Sequence, residues 1–210
     1  PRYQPSGDVA HASLRPSYEL YELWTLFALK EAFDRRFPDA GRSSSSLASF
    51  LTELGTDRAV SFTWMITGLG RLTVQFNLTF PSYLSRGESP RFSISAARRP
   101  DFAITLERPA GRSWFCLDAK YRVAHDAIAQ AFESAHLYRD SLRWTEFGGR
   151  CLETVLVVPA KKRECAPWFE PAFLAEHHVG AVELSPSRGS AEALVDRIVS
   201  TLATLAVSGS

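Results

Sequence analysis

Cysteine is scarce in this chain: Cys116, Cys151 and Cys165 are odd in number, and none stands at metal-ligand spacing. That composition excludes a disulfide framework and a cysteine-rich zinc module. A secretory leader pattern is also missing, so the expected setting is a reducing cytoplasm. No uncharged apolar run approaches the roughly 20 residues that span a bilayer. Even residues 194–207 carry Asp196 and Arg197. Charge of one sign is lacking too, since 24 Lys and Arg against 23 Asp and Glu leave a net +1. Contact with a polyanion must then come from local patches, not from a basic bulk. There is no internal repeat and no long low-complexity tract. The sequence starts at Pro1, without a methionine, and is expected to be one domain (1–210) cut from a longer protein.

What is present is a core. With 45% hydrophobic residues over 210 positions, one well-packed domain is the default. Ser17 is a candidate N-cap for a helix running to about residue 37, where Pro38-Asp39-Ala40-Gly41 stops it. That helix is apolar around most of its circumference and is expected to be largely buried. Residues 43–46 are predicted as a flexible loop, and 47–70 as a short helix followed by a strand near 60–66. Leu72, Val74, Phe76, Leu78 and Phe80 alternate with Thr73, Gln75, Asn77 and Thr79, which predicts a half-buried strand over 72–80. A polar connection fills 81–90. Helix-forming sequence resumes over 125–144, stopped by Gly148-Gly149. Thr154-Val155-Leu156-Val157-Val158 is a β-branched run suited to a strand buried on both faces. A basic loop (161–167), a short strand (181–184) and a last helix (191–206) follow. The predicted class is α/β: antiparallel central strands, then a late strand, reached through a helix, that adds in parallel.

The chemistry concentrates at Arg99-Pro100-Asp101 and Asp118-Ala119-Lys120. The segments 102–106 and 114–117 read as two strands, and residues 108–112 supply turn chemistry between them. The midpoint of the two aspartates falls at Pro109-Ala110, so a hairpin closed there sets Asp101 nearly opposite Asp118. Alternation then puts Asp118 and Lys120 on one face and Ala119 on the other. Two carboxylates and an ammonium converge, which is the equipment of a metal-dependent phosphodiesterase. Mg²⁺ takes oxygen ligands and keeps several waters. The bound ion polarises a phosphate and favours a hydroxide-like nucleophile, and a neighbouring lysine offsets growing charge. The plain alternative is a turn dipeptide followed by a solvated rim pair. Against it, Trp114-Phe115-Cys116-Leu117 is apolar on both faces, so Asp118 and Lys120 leave a buried strand.

The element order, with Pro-Asp before one strand and Asp-x-Lys ending the next, resembles the PD-(D/E)xK nuclease superfamily. Within it, Leu20-Tyr21-Glu22-Leu23-Trp24, Arg99-Pro100-Asp101, Leu117-Asp118-Ala119-Lys120-Tyr121-Arg122 and His136-Leu137-Tyr138-Arg139-Asp140 are similar to nuclease subunits of the McrC type. The four motifs lie in order across a core of about residues 17–160. The resemblance implies a restriction-endonuclease-like αβββαβ core, a central mixed sheet flanked by helices, with an extra C-terminal strand and helix. It implies an Mg²⁺-dependent endodeoxyribonuclease, Mn²⁺ substituting, that acts on double-stranded DNA in prokaryotic restriction or anti-phage defence. A nucleotide-hydrolysing motor partner is implied by that likeness, and a homodimer by the need to cut two strands. By the same likeness Asp101 and Asp118 are metal ligands and the Ala119 carbonyl adds a third oxygen. By that likeness too Lys120 is the water-orienting base or the charge stabiliser, and Glu22 is the acid of the first helix that approaches the metal, directly or through water. Gln130 stands where superfamily members often place a polar residue near the attacking water. The link from Lys120 to the second helix is short, which makes for a smaller groove wall.

Other candidates have bland alternatives beside them. His136, Arg139 and Arg143 share a helical face and suit phosphate contacts, or else an Arg139–Asp140 network locks the helix to the sheet. Arg99 and Arg122 flank the site as nucleic-acid-binding candidates, and Arg99 can instead brace the loop before Asp101. Tyr121 adjoins the site, while Tyr138 and Phe132 read as core. Glu19, Lys161-Lys162-Arg163 and His177-His178 read as solvated surface, and Cys116 as core filler. A competing function is a nuclease-like module that binds DNA or a partner subunit without cutting. An RNA or repair nuclease ranks lower, because no aromatic-rich basic sheet face is evident.

Overall fold

The computed structural model describes residues 17–44, 60–122 and 124–204. In chain order its elements are α1 (Ser17–Arg36), β1 (Gly41–Ser44), β2 (Val60–Ile66), β3 (Gly70–Phe76), β4 (Arg91–Ser93), β5 (Phe102–Arg108), β6 (Gly111–Ala119), α2 (His125–Ser141), β7 (Leu142–Trp144), β8 (Thr154–Val158), α3 (Pro171–His177), β9 (Val179–Glu183) and α4 (Ala191–Thr204). Seven strands make one sheet in the order β1-β2-β3-β5-β6-β8-β9, and β4 pairs with β7 apart from it. The pairs from β1 to β6 are antiparallel, while β6, β8 and β9 run parallel. This is the expected mixed α/β sheet, its parallel half entered through α2.

Helices cover both faces because each has one apolar stripe to bury. On one face Leu26, Leu29 and Phe33 of α1 and Leu194, Val195 and Ile198 of α4 pack on Leu72, Ile104, Phe115 and Leu117. On the other, Ile128 and Phe132 of α2 pack on Leu156, Val158 and Ala181. Each such buried side chain contributes about 1.5–3 kcal/mol. A third cluster lies over the hairpin, where Leu78, Phe80, Trp114, Cys116, Leu142 and Trp144 meet. Trp114 stacks on Phe80 at 5.4 Å and meets Trp144 edge-on at 5.9 Å.

The turn lies where the aspartate spacing put it. Arg108 pairs with Gly111, leaving only Pro109-Ala110 between the strands. Both strands are longer than expected, because backbone pairing runs through Arg108 and Arg112, residues that composition assigned to the turn. The strand expected over 72–80 ends at Phe76. Asn77 takes a left-handed φ of 58°, a conformation asparagine tolerates, and turns the chain out of the sheet. Its N–H still donates to the Asp101 carbonyl at 2.9 Å, which anchors the start of β5.

Further corrections follow from long-range pairing. Ser43 and Ser44 belong to β1 instead of a loop, paired with Thr63 and Phe62; the short helix expected over 47–59 lies outside the described residues. The second helix stops at Ser141, because Leu142 to Trp144 pair with β4. The basic loop contains a 3₁₀ turn, Arg163–Phe169, and α3 follows it. The first helix is buried along one side only, with Tyr18, Leu20 and Phe27 exposed. No helix among the described residues is long and apolar enough to cross a membrane.

Candidate active site

The hairpin register builds the site. Phe102 pairs with Leu117, so the next positions outward are Asp101 and Asp118. Asp101 is 6% exposed and Asp118 wholly buried. Asp101 Oδ2 accepts from the Ala119 N–H at 2.7 Å and from Lys120 Nζ at 3.2 Å. Lys120 Nζ also donates to Asp118 Oδ1 at 2.9 Å. One ammonium therefore bridges both carboxylates, and Lys120 shares the face of Asp118 as alternation required. The other oxygen of Asp118, Oδ2, is buried and has no hydrogen-bond partner among the described residues.

That pairing is electrostatically incomplete. Burial, and then the adjacent Asp118 charge, push the Asp101 carboxyl well above the usual carboxylate range. Burial alone would lower the Lys120 ammonium, but the charges of Asp118 and Asp101 outweigh it and raise its pKa. Lys120 thus stays protonated at neutral pH. Glu22 reaches the same field from α1. Its carboxyl is raised chiefly by burial, with Lys120 opposing and Asp118 adding to the effect. Lys120 faces two buried carboxylates, with Glu22 nearby in the field of Lys120 and Arg99, and a buried charge without full compensation is costly.

Tyr138 of α2 belongs to this neighbourhood, though its sequence context reads as core. Burial and then the Asp118 carboxylate raise its phenol pKa. The side chain is half-buried against the cluster of Trp114 and Cys116. The available signal was its place in the helix that returns over the hairpin, which becomes visible only once α2 is known to cross that face. Phe132 does sit in the core, stacked on Trp168 at 4.5 Å.

The remaining candidates fall around the rim. Arg99 is exposed and acts on the Glu22 charge. Tyr121 is half exposed, with its ring 5.8 Å from that of Tyr21, whose hydroxyl donates to the Leu184 carbonyl. Arg122 is exposed, and its N–H donates to the Lys120 carbonyl at 2.7 Å. Gln130 is exposed on α2, roughly 12 Å along the helix axis from Tyr138. His136 is exposed and meets Phe132 edge-on at 5.0 Å. Arg139 is half-buried, its Nε without a partner among the described residues. Arg143 donates to the Leu142 carbonyl at 2.7 Å. Burial, and then Arg150, lower the Arg143 pKa, with Arg139 adding a smaller effect. Arg139, Arg143 and Arg150 are therefore near one another at the end of α2, with Asp140 among them, and Arg150 is a member that sequence spacing missed. Lys161 is taken up by Glu170 at 3.3 Å. His178 caps α3 in a left-handed conformation, and Cys116 is buried beside Asp118.

Among the described residues no three His, Cys, Asp or Glu side chains cluster as a metal cage, so a closed zinc site does not fit. Two buried carboxylates, one with an unpartnered oxygen, match a hard cation that keeps several of its waters.

A family model described as the PD-(D/E)XK nuclease superfamily matches residues 19–162, a stretch that includes Glu22, Asp101, Asp118 and Lys120. No curated protein and no solved structure gives a match.

Proposed function

The chain belongs to the PD-(D/E)XK nuclease superfamily, and from that premise we propose that it is a divalent-metal-dependent endonuclease domain that hydrolyses double-stranded DNA. The observation that carries this reading is the buried Asp101–Asp118 pair bridged by Lys120 at 3.2 and 2.9 Å. Asp101 and Asp118 would hold Mg²⁺ or Mn²⁺, with the Ala119 carbonyl as a third donor and Glu22 approaching from α1. When bound, the ion supplies Lewis-acid polarisation of the phosphate and of a water.

The protein's own groups do the rest. Lys120, within hydrogen-bond distance of both carboxylates, is placed to donate to the phosphate or to orient the water. The Ala119 N–H fixes the rotamer of Asp101. Tyr138, held protonated by burial and the neighbouring carboxylate, offers a further donor at the wall. Arg99, Arg122, His136, Arg139 and Arg143 are candidates for phosphate contacts that position the duplex without reading its sequence.

The likeness of the four motifs to McrC-type subunits favours a role in prokaryotic restriction, alongside a nucleotide-hydrolysing motor, within the cytoplasm. Each domain (1–210) has one site, so a double-strand break calls for two copies or two successive nicks.

Relaxation of supercoiled plasmid by the chain in Mg²⁺, Mn²⁺ and EDTA tests the activity. Nicking is expected with metal and not with EDTA, and Asp118→Asn and Lys120→Ala are each expected to lower the rate at least ~100-fold. Cleavage that survives both substitutions would falsify the assignment. Duplex binding without cleavage under every condition would favour the non-catalytic binding module.

A further inference from the structure

Between Asn77 and Asp101 the chain leaves the sheet and returns to it, and this excursion is a lobe tied down by backbone pairing. Phe80 and Arg98 exchange backbone hydrogen bonds of 2.8 and 2.9 Å at its base, three positions before Asp101. β4 pairs with β7, and further backbone bonds run from Ser93 to Pro81, from Ile94 to Ser141 and from Thr145 to Pro90. Phe80 packs in the cluster that holds Cys116 and Trp114, so the lobe rests on the sheet face that carries Asp118.

The crown of the lobe is a single 3₁₀ turn, Tyr83–Ser85, capped by Ser82, whose Oγ accepts from the Ser85 N–H at 3.3 Å. The Arg86 guanidinium lies 4.3 Å from the rings of both Tyr83 and Phe92 and braces the turn from the side. On this braced turn Leu84 is 96% exposed and Tyr83 about half exposed, and Ile94, which follows β4, is about half exposed as well. One partly exposed leucine is ordinary. A leucine with nearly its whole surface in water, on backbone that many bonds hold in place, is presented outward.

Its surroundings select the kind of partner. Residues 81–99 carry Arg86, Arg91, Arg98 and Arg99 against Glu88 alone. Arg143 lies on β7, opposite Phe92 of β4, and has Arg139 and Arg150 near it, with Asp140 as the acid among them. Three exposed apolar side chains in this arginine-bearing segment are too few for a stable protein interface, which buries about 800 Å² on each partner. They do match a duplex, where arginines neutralise phosphates and an aliphatic wedge parts a base step and kinks the helix.

We propose that the lobe inserts Leu84 into a base-pair step of double-stranded DNA, so that the kinked backbone reaches Asp101 and Asp118. This deepens the proposed nuclease reading and rests on it for the identity of the polyanion.

The test uses the full chain in EDTA with a short duplex that carries 2-aminopurine, followed by cleavage in Mg²⁺. The variant is Leu84→Ala, and its melting temperature checks that it folds. The wild type is expected to raise 2-aminopurine fluorescence on binding. Leu84→Ala is expected to abolish that rise, weaken duplex binding about tenfold and slow cleavage. A duplex with a central mismatch, already unstacked, is expected to restore most of the rate to Leu84→Ala. Equal fluorescence, affinity and cleavage for the two proteins would overturn the wedge while leaving the nuclease standing. A Leu84-dependent fluorescence rise without cleavage would support the wedge and count against the nuclease. Absence of duplex binding by the wild type would overturn the wedge outright.

Discussion

Asp101 carries a pH signature of its own. Its carboxyl is raised by burial and by Asp118, so in the metal-free protein the fold favours the protonated form. A group whose folded pKa exceeds its unfolded value stabilises the fold at low pH and loses that contribution as the pH rises through the folded value. In EDTA the stability owed to this site is therefore expected to fall between acidic and mildly alkaline pH. Asp101→Asn removes the charge and retains an oxygen that can accept from Ala119. It is expected to be more stable than the wild type at pH ~8, with the difference shrinking toward acidic pH. Thermal melts of the two proteins across pH check this, and a wild type that is the more stable one at high pH would refute it. At this scale much was legible. Residue type and spacing were enough to bring Asp101, Asp118 and Lys120 together. Tyr138 and Arg150 were not legible, because their approach depends on how α2 crosses the sheet.

At the scale of elements, legibility followed the range of the pairing. Val60–Ile66 and Thr154–Val158 stand where their apolar patterns put them, and the β5–β6 hairpin closes at Pro109-Ala110. β4 and β7 are three residues each, too short for any periodicity, and exist through pairing between segments far apart in sequence. β1 is serine-rich and reads locally as a loop until β2 lies beside it. The hairpin also closes the end of α4 by contacts that no local pattern announces. Arg108 donates to the Ala203 and Leu202 carbonyls at 2.9 and 3.1 Å, and Ser113 Oγ donates to Leu202 at 3.0 Å. These bonds satisfy carbonyls that the last helical turn leaves open, at its negative end. Arg108→Ala is accordingly expected to cost about 1–3 kcal/mol in urea unfolding, and Arg108→Lys to recover only part of it. An unchanged midpoint for Arg108→Ala would show that the cap contributes nothing.

Across the whole molecule, charge is balanced in sum and uneven in place. A net charge of +1 predicts no strong bulk attraction to DNA, so affinity should depend on the arginines of the lobe and of the α2 end. Duplex affinity is expected to fall with log salt at about 0.9 per phosphate neutralised. Arg143→Ala and Arg150→Ala are each expected to shallow that slope by about 1, with little change in sequence preference. Slopes that match the wild type would move the duplex to another face. The fold serves this layout by setting the two aspartates in a buried hairpin and mounting the arginine-bearing lobe beside them.

The most direct check of the site is calorimetric titration of Mn²⁺ into the metal-stripped chain, repeated with Asp118→Asn. Binding by the wild type, lost or weakened at least ~30-fold in the variant, is expected if the buried carboxylate pair holds the ion. Binding of equal strength in both proteins, or none in the wild type, would contradict that assignment and leave Asp101, Asp118 and Lys120 as a structural ion-pair cluster.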